Sequence, residues 1–332
     1  MSRWARARIV AVAIAVGVVV ASCGGGGHSM FDAKASEADR IASVWWLMFG
    51  LATAVYVVVA GFIIHAATRG RRKRASTSRL NETKFIWIGG VIVPMVILAI
   101  LAVVTVDTTS ALRNASPHEL HIDVAGELWW WQVRYPGTGV VTANEIHVPR
   151  GTPIDLHLTS DNVIHSFWVP QLAGKMDTIP GQPNDLRFTA DTVGRYLGRC
   201  AEFCGLQHAH MGIEVVVDSP ADFGRWLARR RRVPLEPASE EAAAGQLVFQ
   251  REACAGCHTI RGTDASGTVG PDLTDVGSRA RLGADTLLNT PENMRAWIRD
   301  AQSFKSGIAM PPFRSLSTRD VDALASYLES LR

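Results

Sequence analysis

Little in this sequence is charged in one sense. A formal net charge of +3 over 332 residues gives no field that implies a nucleic-acid partner. Cysteine is scarce as well. The five are Cys23, Cys200, Cys204, Cys254 and Cys257, and each falls in a local motif of its own kind, so none is left over for a structural disulfide. Charge is missing altogether from two stretches, Ile41–Thr68 and Phe85–Val106. Each is long enough to cross a bilayer as a helix, with Trp45 and Trp46 suited to the interface and Pro94 tolerated inside a membrane helix. A buried core helix is the alternative for either stretch, and two in tandem disfavour it.

What is present begins with Arg3, Arg6 and Arg8 ahead of the apolar run Ile9–Ala21, shaped as a secretory signal and too short for a comfortable span. The run ends Val20-Ala-Ser-Cys23, which resembles a bacterial lipoprotein box. The expectation is a signal peptide over 1–22 and lipidation of Cys23, with an ordinary cleaved signal as the alternative. The glycines that follow suggest a flexible tether over 23–40. Between the two apolar stretches lie Arg69, Arg71, Arg72, Lys73, Arg74, Arg79 and Lys84. Short loops rich in Lys and Arg stay on the cytoplasmic side, so everything after Asp107 faces outward. The chain then divides into a two-helix hairpin over 41–106, a domain over 107–224, a charged, proline-bearing linker over 225–240, and a last domain over 241–332.

Residues 118–218 alternate in strand fashion in short runs such as His121–Val124, Ile154–Leu158 and Ile213–Val217, broken by Gly, Pro, Asn and Asp. A β-sandwich or barrel follows. Late in that region stands Cys200-Ala-Glu-Phe-Cys204-Gly-Leu-Gln-His208-Ala-His-Met211. Two thiolates, an imidazole and a thioether form a soft ligand set that selects copper, and His165 is well placed as a further partner. Together they could hold two coppers bridged by both cysteines. A disulfide and a Cys2His2 zinc site are the rival readings, and neither employs Met211. Trp129, Trp130 and Trp131 lie in one strand-like run, so neighbours point to opposite faces and some are core.

Cys254-Ala-Gly-Cys257-His258 is the c-type haem attachment signature, with the two thiols bonding the vinyl groups and His258 as proximal iron ligand. Helical patterning precedes it at Glu241–Phe249 and closes the chain over about Thr318–Leu331. Only Met294 and Met310 follow His258. Met310 sits in a Met-Pro loop and is taken as the sixth ligand, while Met294 lies in a helical run and reads as core. The segment 240–332 holds ten Lys plus Arg against twelve Asp plus Glu, so it lacks the basic face of a freely diffusing donor. A tether makes such steering less necessary, because linkage raises the effective concentration to about the millimolar range.

The run Trp129–Tyr135, the segments His165–Pro170 and Lys175–Gly181, and the Cys200–Met211 motif, in that order, resemble the binuclear copper (CuA) subunit II of haem-copper cytochrome oxidases. The last domain resembles a class I cytochrome c, and the two together resemble the subunit II of a caa-type oxidase. The resemblance implies a multidomain membrane protein: a two-helix transmembrane hairpin, a Greek-key cupredoxin-like domain and an all-α cytochrome c domain. It implies His165, Cys200, Cys204 and His208 as CuA ligands, with Met211 and the Glu202 carbonyl as weak outer ligands. It further implies magnesium at the subunit interface through the Glu202 side chain, Trp129 as the aromatic where electrons come in, and Asp177 near the magnesium. The expected function is to pass electrons from an external donor to the catalytic subunit I, which reduces oxygen and translocates protons in company with other oxidase subunits. The donor would be a quinol–cytochrome c reductase or a soluble cytochrome. The expected location is the bacterial cell membrane, multi-pass, with both soluble domains extracytoplasmic. The corresponding subunit of a nitric oxide reductase is the alternative. Lys84 stands roughly where family members carry a carboxylate linked to proton uptake, so that role is not carried over.

Overall fold

Among the described residues two helices are long and apolar enough to cross a bilayer, and their apolar faces are not covered by the other described residues. In the computed structural model, which describes residues 27–69, 82–113, 119–234, 236–237 and 239–332, the first runs Ser36–Arg69. The second runs Glu82–Trp87, widens to a π-helical turn over Ile88–Ile92 and continues as Val93–Arg113. Pro94 accounts for the widening. Its ring crowds the carbonyl four residues back, at Gly90, and it has no N–H to donate, so the ladder slips by one. The signal segment, Cys23 and the basic run Arg71–Arg79 lie outside the described residues.

Both helices outrun the uncharged stretches. The first gains a polar turn with Glu37 and Asp39 at its positive end, and the second carries on past Val106 because nothing from Asp107 to Arg113 breaks it. Residues 107–113 are therefore helix and not the start of the β-domain. The expected tether over 23–40 also needs correcting in its described part. Lys34 N–H donates to the Gln171 carbonyl (2.8 Å), Asp191 N–H donates to the Lys34 carbonyl (2.9 Å), and Ala35 bridges Ala190. Thr189 N–H then caps onto the Glu37 carboxylate at 2.9 Å. The segment is bound to the β-domain by backbone bonds that Gly-rich composition alone does not reveal.

That domain is a sandwich of two five-stranded sheets. The first orders β3 (Val140–Ala143), β2 (Trp130–Tyr135), β1 (Leu120–Glu127), β5 (Pro153–Ser160) and β8 (Asn184–Thr189). The second orders β4 (Glu145–Pro149), β10 (Gly212–Asp218), β9 (Gly194–Cys200), β6 (His165–Trp168) and β7 (Met176–Thr178). β1 pairs parallel with β5 and β4 with β10, while the other pairs are antiparallel, as a Greek-key connection produces. Alternation turns Ile122, Val124, Trp131, Val133, Leu156 and Leu158 into the core between the sheets. A helix, Pro220–Arg230, closes this domain and buries Trp226 and Arg230. The linker is consequently shorter than 225–240, and Arg230 is not a solvated linker residue.

The last domain packs helices Glu240–Arg251, Pro291–Asp300 and Thr318–Ser330. Ser239, Thr290 and Ser317 cap them, each side-chain oxygen accepting from a backbone N–H of the first turn. The two domains are joined by more than the chain. Arg230 Nε lies 3.0 Å from Asp275, Arg261 donates to the carbonyls of Gly139 (2.8 Å) and Arg230, Gln207 donates to the Ser306 carbonyl (2.8 Å), and Gly212 N–H donates to the Ala284 carbonyl (3.0 Å).

Candidate metal centre and haem site

Cys200 ends β9, Met211 lies just before β10, and the loop between them is closed by Cys200 N–H donating to the Met211 carbonyl at 2.9 Å. β6 lies alongside, with Phe167 paired to Cys200, which brings His165 to the same end of the sandwich. The donor atoms converge. Cys200 Sγ lies 3.7 Å from Cys204 Sγ, 3.2 Å from the Glu202 carbonyl and 4.0 Å from His165 Nδ1. Cys204 Sγ lies 3.6 Å from His208 Nδ1 and 3.9 Å from Met211 Sδ. The sulfurs are far beyond a disulfide bond of about 2 Å, yet near enough for one ion to touch both. His165, Cys200, Cys204 and Met211 are all buried. The hydrogen bond between the two thiols holds Cys200 below the usual thiol range and pushes Cys204 above it. Six donors, a central sulfur pair and four groups around it, exceed what a four-coordinate zinc ion needs and suit two soft ions.

What orients His165 carries no signature in the sequence. Its Nε2 meets Asn162 Oδ1 at 3.0 Å, and Asn162 Nδ2 donates to Glu127 at 2.9 Å, which fixes the amide with its oxygen toward the imidazole. An amide oxygen only accepts, so Nε2 carries the proton and Nδ1 presents its lone pair to the sulfurs. Gly126 makes the space: a Cβ there would stand 2.7 Å from His165 Cδ2. The Glu202 side chain is exposed, and Asp177 pairs with Ser166 next to His165. Among the described residues Glu119, His121 and Asp155 form a second cluster, but Arg187 sits among them, 3.3 Å from Asp155, and already supplies the cation.

In the last domain Cys254, Cys257, His258 and Met310 line one cavity of about 350 Å³, with Val276 and Ile298 among its apolar walls. His258 Nδ1 lies 2.8 Å from the Pro271 carbonyl, so it carries the proton and leaves Nε2 as a ligand atom. Burial lowers the His258 pKa, which favours the neutral imidazole that a metal requires. Gln302 donates to the Met310 carbonyl at 2.7 Å and fixes the methionine loop. Met294 is buried in its helix and also reaches the cavity wall. An apolar slot with paired thiols, a tautomer-locked histidine and a methionine fits a covalently held haem. Leu128, Trp129 and Trp130 of the β-domain line the same cavity. Trp129 Nε1 in turn donates to the Cys204 carbonyl at 2.7 Å.

Fold and sites define a class: a membrane-anchored redox protein in which a soft-metal β-domain is fused to a c-type cytochrome. Residues 138–219 match the family model described as cytochrome c oxidase subunit II, periplasmic domain, and residues 242–332 match that of cytochrome c. Cytochrome c oxidase subunit 2 of Alkalihalophilus pseudofirmus is 33% identical over 310 residues, covering 91% of this chain and 90% of the relative. That of Bacillus subtilis is 27% identical over 352 residues, covering 98% of each. Among solved structures, the periplasmic domain of subunit II of cytochrome oxidase from Bradyrhizobium japonicum is 31% identical, covers 34% of this chain and 93% of its own, and has a TM-score of 0.33. The chain belongs to the cytochrome c oxidase subunit II family, in a form that carries its own cytochrome c domain.

Proposed function

We propose that this chain receives electrons from an external donor and delivers them to the catalytic subunit of a haem-copper terminal oxidase. Cys254 and Cys257 would attach haem c, and His258 and Met310 would hold its iron. His165, Cys200, Cys204 and His208 would hold the CuA pair, with Met211 and the Glu202 carbonyl as weaker outer donors. Bound there, both groups supply one-electron redox chemistry. The chain's own residues exclude water, fix the imidazole tautomers and bring the two sites together. The observation that carries this reading is Trp129, which walls the haem cavity and is hydrogen-bonded to the Cys204 carbonyl. Oxygen reduction and proton translocation belong to the partner subunit. The Glu202 carboxylate faces outward and would meet magnesium there, with Asp177 nearby. The relatives named above are oxidase subunits, and nothing favours a nitric oxide reductase.

The donor would be a soluble cytochrome or a quinol–cytochrome c reductase. We place the chain in the bacterial cell membrane as a two-span protein with residues 119–332 outside, processed at a signal over 1–22 and lipidated on Cys23. Metal analysis and visible/near-infrared spectra of the full chain in detergent test the core of the reading. Two coppers per haem, a copper near-infrared band and a c-type α band are expected. Haem without copper, or zinc in its place, overturns it.

A further inference from the structure

Among the described residues Lys305 is a buried lysine that the proposed redox sites do not use. It follows the short turn Ala301–Ser303, where its N–H donates to the Ala301 carbonyl at 2.9 Å. The side chain is 3% exposed. Its ammonium donates to the carbonyls of His210 (2.7 Å), Trp129 (2.8 Å) and Gly283 (3.1 Å). Three donors thus meet three acceptors, and no carboxylate is among them. Burying a cation without an anion is unfavourable, and desolvation draws the Lys305 pKa down to about 7.

The acceptors say what the group is for. Gly283 belongs to the haem domain, where the Trp297 ring packs against it. Trp129 and His210 belong to the copper domain. The first also donates its indole N–H to Cys204, and the second precedes Met211. Lys305 also lines the cavity shared by Cys254, His258 and Met310. Its ammonium therefore joins the copper loop, the tryptophan wall and the haem domain at one point. Its acceptors are backbone carbonyls drawn from both domains.

Resting on the redox roles proposed above, we propose that Lys305 is a positioning residue: a pin that seats the haem domain on the tryptophan face of the copper domain, so that the chain works as one fixed pair of domains and not as a swinging carrier. The Arg230–Asp275 pair, the Gln207–Ser306 contact and the Gly212–Ala284 hydrogen bond hold other parts of the interface. Removing Lys305 should thus loosen the seat without unfolding either domain.

The test uses the full chain in detergent, comparing K305M and K305Q with the parent. The first readout is hydrogen–deuterium exchange over 128–131, 206–212 and 283–287. The second is the rate of electron equilibration between the two sites after flash reduction of the haem. Charge-assisted hydrogen bonds weigh on a docking equilibrium by about 10- to 100-fold when removed. K305M should raise exchange on both faces and slow equilibration by about tenfold or more, with the copper and haem spectra unchanged. K305Q, which keeps a donor, should fall between, and it carries the comparison if K305M does not fold. Unchanged exchange and rate in a folded variant overturn the proposal. If the parent binds no copper, the redox reading fails, yet the exchange comparison still decides whether Lys305 seats the domains.

Discussion

Two glycines stand where a side chain would collide with an imidazole proposed as a ligand. A Cβ on Gly126 would lie 2.7 Å from His165 Cδ2, and one on Gly270 would lie 2.5 Å from His258 Cε1. Neither neighbour can give way, because Asn162 holds one ring and the Pro271 carbonyl holds the other. Gly126→Ala should therefore cost the chain its copper near-infrared band while the haem spectrum persists. Gly270→Ala should leave haem covalently attached but change its axial ligation, visible in the Soret region. Asn162→Ala removes the acceptor on His165 Nε2 and should weaken copper retention by roughly 10- to 100-fold in competition with a chelator. Unchanged copper binding in that variant would show that packing alone orients His165. The side chains that converge were legible, because thiol, imidazole and thioether at fixed spacing leave few alternatives. The residues that aim them were not. Asn162 lies in the same motif as His165 but acts across space, and glycine carries no side-chain signal at all.

Among elements, the helix Pro220–Arg230 was the least legible, since its run of arginines reads as a solvated linker. Trp226 explains it. The indole packs on Tyr135 and stacks on His147 at 4.4 Å, and its ring carries the Arg230 guanidinium at 5.6 Å. Trp226→Ala should destabilise the copper domain by about 3–5 kcal/mol in thermal or denaturant unfolding. Around His147 sit Glu145 at 3.0 Å and Asp218 at 2.7 Å. Burial alone would raise the Glu145 pKa, but the His147 hydrogen bond and the charges of His147, Arg195 and Arg230 hold it down at about 2. A depressed carboxylate contributes stability above its unfolded pKa and loses it as pH falls. Between about pH 4.5 and 2 the domain should therefore lose on the order of 3 kcal/mol from this group. His147 works the other way. Burial opposes its charge, its bonds to Asp218 and Glu145 overcome that, and its raised pKa makes its contribution complete below about pH 6.5 and lost as pH climbs through the folded value. Melting temperature against pH should show both limbs, and Glu145→Gln should flatten the acid one. The strands were far easier to read, because alternation at Ile122–Val124 or Ile154–Leu158 has no helical counterpart.

For the molecule as a whole, orientation and seating are separate questions. The Lys and Arg residues between the spans predict a cytoplasmic loop. A single cysteine placed at Ser76 should react with an impermeant maleimide only after the cells are opened, while residues of 119–332 should be open to added protease in spheroplasts. Salt should distinguish two electron steps. The contacts that join the domains are largely buried, Arg230 and Asp275 among them, and buried pairs are screened far less than exposed ones. Equilibration within the chain should thus hardly change with ionic strength, whereas delivery from a soluble donor should. Domain order was legible from composition. The closeness of the domains was not, because it depends on Lys305, Arg261 and Gln207, three polar residues with no local motif.

The wall that Leu128, Trp129 and Trp130 contribute to the haem cavity also bears on how the chain is made. Thioether formation requires the cofactor to slide into a slot whose far side, in the finished protein, is another domain. If docking narrows that slot, haem would join Cys254 and Cys257 more readily while the cytochrome segment is still apart. Haem attachment in pulse-labelled cells should then be faster for a chain whose domain contacts are weakened, for example by Lys305→Met, than for the parent.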